Sequence, residues 1–594
     1  MHTFSQRIRV YVWVAFSITL LSSVSVNAST SQVPLFGLFE QSLTNNHGYS
    51  NPFFDVELNA VFTSPTGRVI NFFGFYDGDG KGGQQGTIWK QRFMPNELGT
   101  WTYSLEFSDG SQSTTGTFEC VSSGAKPGPW KKHENNYRWF TDSHNKPFLP
   151  IMAYLWMYLT PADWKDGIAW AQQKGYNTIV TPTFNDVFWG DGWENPTPFI
   201  KQTGSPEGSA SGLNRKVNYD HFLIKRWKEW DDMILAAGKA GIYISPTNTP
   251  NGFWGGQSGL GTLYPPTELA YFPERYQPYH SPHNLRVIKY FVARQAAFWN
   301  VANWSLYPGE VYEIKNRSEV IAFGEYLASI TPFHRLITAQ DIEEQRFNDP
   351  DRRWLSEMNI SSKRKLNTVQ VSDKGPKGLP YQEAGHNNQF ALELMKRGYP
   401  VIGTESLWEG QERGDKPLRM IWGSFTAGMH TVWADFRPEN VSQNSYISLG
   451  RNWVPLKPLH QSQFKTYQLG ADTVGDEYLA IAGKALSETE YWNMRAHNEF
   501  VQGGTEAYCL AETGKQYVVY APKGGTIKLD LSSTIGKFQV KWLNPKTGSF
   551  QGKHTTRGNM VVSLNSPSSS DWVVFVKKIG DSTPPQPPQG VAIQ

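Results

Sequence analysis

Between residue 130 and about residue 448, short apolar runs alternate with amphipathic stretches of helical spacing, and few architectures accept that order. An apolar run of four to eight residues reads as a strand buried on both faces, and strands separated by helix-length segments pair in parallel. Eight such strands are predicted: Phe148 to Tyr154, Asn177 to Thr181, Gly241 to Pro246, Val301 to Tyr307, Arg335 to Ala339, Thr368 to Val371, Pro400 to Gly403 and His430 to Ala434. Helical stretches at Pro161 to Lys174, Leu223 to Ala240, Leu285 to Phe298, Glu319 to Ile330 and Asn388 to Arg397 lie between them. Residues 130–448 are therefore expected to fold as a (β/α)8 TIM barrel of about 300 residues, the usual size with loop insertions.

The flanks follow period two instead. Residues 33–124 hold runs such as Phe54 to Phe62, Val69 to Phe73 and Trp101 to Phe107, which predict an immunoglobulin-like β-sandwich. A linker from Ser122 to Pro129 precedes the barrel. Beyond Leu449, Gln516 to Ala521, Phe538 to Trp542 and Trp572 to Val576 predict a C-terminal β-sandwich over 449–578, followed by a proline-rich linker over 579–594 that looks like the start of a further module. The fold class is thus multidomain, α/β flanked by all-β. Gly78 to Gly83 satisfies GxGxxG formally, but no helix pattern follows, so it reads as a hairpin loop and no cofactor is expected. Asp77 and Asp79 lack the fuller oxygen spacing of a calcium loop, and no CxxC, HExxH or Cys/His cluster is present, so no metal site is expected.

Residues 1–28 carry Arg7 and Arg9 ahead of an apolar stretch and end in Val26-Asn27-Ala28, the pattern of a cleaved export signal, with the mature chain starting near Ser29. Secretion or a periplasmic address is expected, and no stretch is long enough for an integral membrane segment. The 56 basic residues fall to 54 once Arg7 and Arg9 leave, against 53 acidic ones, so no global field favours nucleic acid. Cys120 and Cys509 are the two cysteines, either paired across domains or both free and buried.

One strand ends abruptly in a carboxylate beside tryptophan: Tyr399 through Gly410 reads YPVIGTESLWEG. Catalytic groups of parallel barrels sit where strands end, which marks Glu405, although a structural ion pair is an equal alternative for one residue alone. Sugars present flat C–H faces and many hydroxyls, so a saccharide site wants aromatic platforms and paired amides and acids. The loops after the predicted strands supply Tyr154 and Trp156, Asn185 and Trp189, Asn248 and Trp254, Gln340, His386, Trp408, and finally Trp433 and Asp435.

Three resemblances sharpen this. Trp89-Lys90-Gln91-Arg92-Phe93-Met94-Pro95 followed by Gly99-Thr100-Trp101 resembles the immunoglobulin-like domain of unknown function that precedes glycosidase-like barrels. Lys541-Trp542-Leu543-Asn544-Pro545-Lys546-Thr547-Gly548 resembles a small β domain named for collagen binding and often appended to them. Pro400 through Gly410 is similar to the seventh strand of the retaining glycosidases of clan A, and more closely to apiosidase-like members. That resemblance implies Glu405 as nucleophile, Glu310 after strand four as acid/base with Glu313 as a substitute, and an aromatic such as Trp433 under the reacting sugar. Gly309 stands where many relatives carry asparagine. The implied activity is a cofactor-independent retaining glycoside hydrolase acting on a plant or algal polysaccharide or oligosaccharide. The alternatives are a non-catalytic carbohydrate-binding barrel and a polysaccharide lyase.

Overall fold

The computed structural model describes residues 31–155, 161–181, 199–201, 217–246, 282–305, 317–338, 340–341, 358–360, 384–396, 398–408, 415–435 and 475–580. Residues 31 to 121 form two facing sheets, one of five strands in the order 31–34, 113–121, 99–107, 58–63, 69–73, and one of three in the order 39–44, 88–93, 75–76. Leu58–Thr63 alternates buried and exposed residues, as a strand with one face on a core must. Between the sheets Phe62 stacks on Phe93 at 3.9 Å.

The middle of the chain contains strands β1 (Met152–Leu155), β2 (Thr178–Thr181), β3 (Tyr243–Pro246), β4 (Asn303–Ser305), β5 (Leu336–Thr338), β6 (Gln340–Asp341), β7 (Met358–Ile360), β8 (Val401–Trp408) and β9 (His430–Asp435). Helices α1 (Pro161–Lys174), α2 (Ile224–Lys239), α3 (Pro282–Gln295), α4 (Arg317–Ile330), α5 (Ala384–Met395) and α6 (Lys416–Ala427) lie between strands, and α7 (Gly475–Ser487) follows β9. An antiparallel pair, Phe199–Lys201 with Val217–Phe222, is inserted before α2. Seven strands make one sheet in the order β3-β2-β1-β9-β8-β7-β6 with parallel pairings throughout. β4 pairs with β5, also in parallel, and Val301 bridges Ile244 of β3.

Both faces of these strands are buried, which is why their sequences run apolar rather than alternating. Ala153, Ile179, Ile244, Trp304, Ile337 and Trp433 pack toward the helices. Met152, Tyr154, Val180, Tyr243, Leu336, Ile402 and Val432 form a separate inner cluster. A small antiparallel sheet of 131–132, 140–141 and 147–148 closes the amino-terminal end of that cluster with Trp130, Phe140 and Phe148. The Tyr243 hydroxyl donates to the Gly128 carbonyl there, at 2.8 Å. α2 shows how the helices fit: Ile224, Trp227, Trp230, Ile234 and Ala237 recur at helical spacing on its buried side. α6 stops at Gly428, whose φ of 88° is the left-handed cap that glycine adopts without strain.

The amino-terminal sheets meet the helices through buried charge. Arg92 donates to Asp231 of α2 at 2.8 Å and to Glu40 at 2.7 Å, while Arg294 of α3 reaches Asp231 and Asp77, both at 2.7 Å. Lys90 completes the network on Asp77 at 2.9 Å. Asp77 is thereby committed to cations of this chain. Residues 495–579 form a six-stranded and a three-stranded sheet around their own core. The outer face of the larger sheet, including Tyr508, Val518, Tyr520, Leu543 and Phe575, joins the core shared with the helices.

Two expectations are corrected, and a third lies outside the described residues. Phe148 belongs to the closing sheet and not to the first strand, because Pro150 interrupts the run and the strand restarts at Met152. The sixth strand expected at Thr368 to Val371 lies outside the described residues, and the strand beside β8 is Met358–Ile360, earlier in the chain. Strand-and-turn character was expected throughout 449–578, but Gly475–Ser487 is helix α7, and its Ala482 and Ala485 are small apolar residues packed inward. Cys120 and Cys509 are both buried free thiols.

Candidate active site

Parallel strands present their carboxyl-terminal ends on one edge, and the register places several predicted residues there. Tyr154 pairs with Val180 on one side and Ala434 on the other, Val180 pairs with Ser245, and Ala434 pairs with Trp408. Trp408, Ala434, Tyr154, Val180 and Ser245 therefore lie on one level. Asp435 pairs with Leu155, one step further along.

Glu405 is set apart from this regular ladder. Gly403 pairs with Thr431 and Leu407 with Trp433, so four steps along β8 oppose two along β9. The surplus residues are taken up across Thr404, Glu405 and Ser406, which lie between those pairs. A bulge interrupts pairing and re-aims side chains, and bulges concentrate at sheet rims beside active sites. Thr404-Glu405-Ser406 offers no core-forming side chain to hold a regular register, whereas Val401 and Ile402 before it are buried.

On this level the inner cluster contributes Tyr154, 5% exposed, and Val180, 1% exposed. Ser245 Oγ donates to Asn303 Oδ1 at 2.8 Å, tying β3 to β4. Neither residue was singled out from sequence. The available signal was a polar residue inside an otherwise apolar strand, Ser245 in Gly241 to Pro246 and Asn303 in Val301 to Tyr307.

The remaining predicted residues divide into three groups. Gln340, Trp408 and Asp435 lie in β6, β8 and β9, at or near their carboxyl ends. His386 is in the first turn of α5, fully buried and stacked on Phe390 at 6.3 Å, and burial pushes its imidazole below the ordinary range. Trp433 is fully buried in the outer core, where Gly475 of α7 lies against its ring. Trp156, Asn185, Trp189, Asn248, Trp254 and Glu310 lie outside the described residues, as does Glu313. Among the described residues, no group of three or more His, Cys, Asp or Glu could hold a metal ion. No helix among them is long and apolar enough to cross a membrane.

The fold has known counterparts. The crystal structure of a "putative glycoside hydrolase" from Bacteroides vulgatus superposes with a TM-score of 0.67 at 15% identity, covering 92% of this chain and 100% of that one. A structure described as "Glycoside hydrolase" gives a TM-score of 0.54 at 16% identity over 76% of this chain and 98% of its own. A glycoside hydrolase family 5 protein from Bacteroides vulgatus gives 0.53 at 17% identity over 76% of this chain and 95% of its own. At these identities the likeness is one of fold. Residues 32–108 match a domain of unknown function, DUF5060, and residues 499–577 match a family described as "Putative collagen-binding domain of a collagenase". No curated protein matches the sequence.

Proposed function

We propose that this chain is a glycoside hydrolase whose strands close into an eight-fold (β/α) barrel, with β5 and β6 two parts of one strand. The pairing of β4 with β5 and the bridge from Val301 to Ile244 support closure, because they link the two ends of the seven-stranded sheet. The observation that carries the catalytic reading is the bulge containing Glu405 in the carboxyl-terminal half of β8, toward the edge where such barrels hold their chemistry. The solved counterparts of like fold support the reaction class by analogy.

In this reading Glu405 attacks the anomeric carbon and forms a covalent glycosyl-enzyme, while Glu310 first protonates the departing glycosidic oxygen and then takes a proton from the attacking water. Retention requires the two carboxyls about 5 to 5.5 Å apart. Tyr154, Trp408, Gln340 and Asp435 are proposed to contact the sugar from the same rim. The substrate is proposed to be a plant or algal polysaccharide or oligosaccharide, met after export directed by residues 1–28.

The test is reducing-sugar release from a panel of polysaccharides by the mature chain and by Glu405→Gln and Glu310→Gln variants. Loss of activity in both supports the two-carboxylate mechanism. Activity retained by Glu405→Gln overturns it, an unsaturated product absorbing in the ultraviolet identifies a lyase, and binding without release identifies a carbohydrate-binding protein.

A further inference from the structure

The collagen-binding family match raises the question of what the carboxyl-terminal sheets do here. One face of the larger sheet packs on the smaller sheet through Val519, Val540, Trp542 and Val574, and the other packs toward the helices through Tyr520 and Val573. Trp422 of α6 stacks on Tyr520 at 6.2 Å. Over the region of contact both faces are therefore occupied by the chain itself.

The turn from Asn544 to Gly548, part of the stretch that marks this domain type, reaches two elements of the barrel. Lys546 Nζ lies 2.5 Å from Asp415 Oδ1. Asp415 stands at the amino-terminal cap of α6, where an aspartate ordinarily accepts a hydrogen bond from its own helix, yet its side chain makes no such bond. Its carboxylate is turned to the neighbouring domain instead, and it holds the Lys546 ammonium above its ordinary range. Gly548 in the same turn lies against Ile481 of α7, the helix whose Gly475 seats Trp433 of β9. Further along α6, Arg419 Nε is 3.6 Å from Asp571 Oδ2 of the carboxyl-terminal sheets. Six residues, 409–414, separate Trp408 at the end of β8 from Asp415.

We propose that Lys546 is a positioning residue: by holding Asp415 it fixes where α6 begins, and through that the end of β8 that carries Glu405. This rests on Glu405 acting at the rim, as argued above. Lys546 and Asp415 are each more than one third exposed, and such pairs add little to stability, so the effect falls on placement. Displacement of a reacting group by a fraction of an ångström is costly to rate even when the fold is intact.

Two readouts separate this inference from the catalytic assignment. Hydrogen exchange of peptides covering 401–408 and 415–420 is measured in the full mature chain and in Lys546→Met, Lys546→Arg and Asp415→Asn variants, and needs no activity. Lys546→Met and Asp415→Asn are expected to exchange faster there, and Lys546→Arg at the wild-type rate. On whichever polymer the wild type cleaves, Lys546→Met is expected to lower kcat about 3- to 10-fold with KM unchanged, and Lys546→Arg to recover it. Wild-type exchange in Lys546→Met overturns the inference whatever the activity. Faster exchange with unchanged kcat confines the contact to α6 and overturns its link to Glu405. A wild type inactive on every polymer sinks the hydrolase reading, and with it the link to Glu405.

Discussion

Replacing Asp231 with asparagine should destabilise the protein more than removing Arg92, even though the two share a hydrogen bond. Asp231 Oδ2 accepts from Arg92 Nη1 at 2.8 Å and from Arg294 Nε and Nη2 at 3.1 and 2.7 Å, and its side chain is 2% exposed. Across the network Arg92, Arg294 and Lys90 balance Glu40, Asp77 and Asp231. Asp231→Asn leaves one positive charge in excess where water cannot reach it, a loss of the kind that costs about 3–5 kcal/mol. Arg92→Met leaves the excess on the acidic side, but Glu40 is 31% exposed and keeps Lys90 at 3.4 Å, so its charge can hydrate. A cost of about 1–3 kcal/mol is expected there. The assay is urea unfolding followed by tryptophan fluorescence, with Glu393→Gln as control, since its partner Lys396 is 68% exposed and the pair should contribute less than about 1 kcal/mol. Burial also screens the network from salt, so the Asp231→Asn penalty should persist at high ionic strength. Equal shifts for Asp231→Asn and Glu393→Gln, or a larger shift for Arg92→Met, would refute this account of how the amino-terminal sheets are held.

His430 should make stability depend on pH. Burial pushes its imidazole down to about 4, and its Nε2 lies 3.0 Å from the Arg138 carbonyl. The unfolded chain therefore binds the proton first, and stability should fall from about pH 6.5 toward pH 4, by up to about 3 kcal/mol. His430→Phe should flatten that slope in a pH series of thermal melts; an unchanged slope would remove His430 as its source. Burial raises the Cys120 thiol to about 11 and the Cys509 thiol as well, so neither should react with iodoacetamide in the native protein and both should do so in urea. Gly475→Ala would drive a methyl group into the Trp433 ring and should cost about 1–3 kcal/mol in denaturation, unless α7 moves away freely.

The strands and helices of the middle region were legible because each needs only local pattern. The run ending at Thr181 and the helix starting at Pro161 appear where apolar spacing puts them. Phe148 misled because an aromatic beside a strand reads as part of it, and only the pairing with Phe140 reveals another sheet. α7 was hidden because residues between domains carry no strand alternation with which to contrast a helix. At the site, the start of β8 could be foreseen from Val401-Ile402, but its expected end at Gly403 could not: the strand resumes pairing at Leu407 and Trp408 after a bulge, and a bulge is a relation between two strands with no signature in one. The burial of Trp433 was hidden for the same reason: alternation decides which way a strand residue faces, and the phase of β9 is set by its partners β1 and β8.

The small sheet of residues 131–148 lays an aromatic base under the inner cluster of the strands. Trp130 lies 5.3 Å from Phe140 and from Phe148 and 5.5 Å from Tyr243, ring centre to ring centre. In the barrel proposed above, a guest would come and go by the opposite mouth, so what enters last would leave first. For the proposed cleavage of a polymer, this would order departure: the fragment released from the outer side would clear the way for the one held deeper. Repacking the base with other apolar residues would then alter heat tolerance, because its aromatic rings pack on the inner residues of the strands, while leaving that traffic alone.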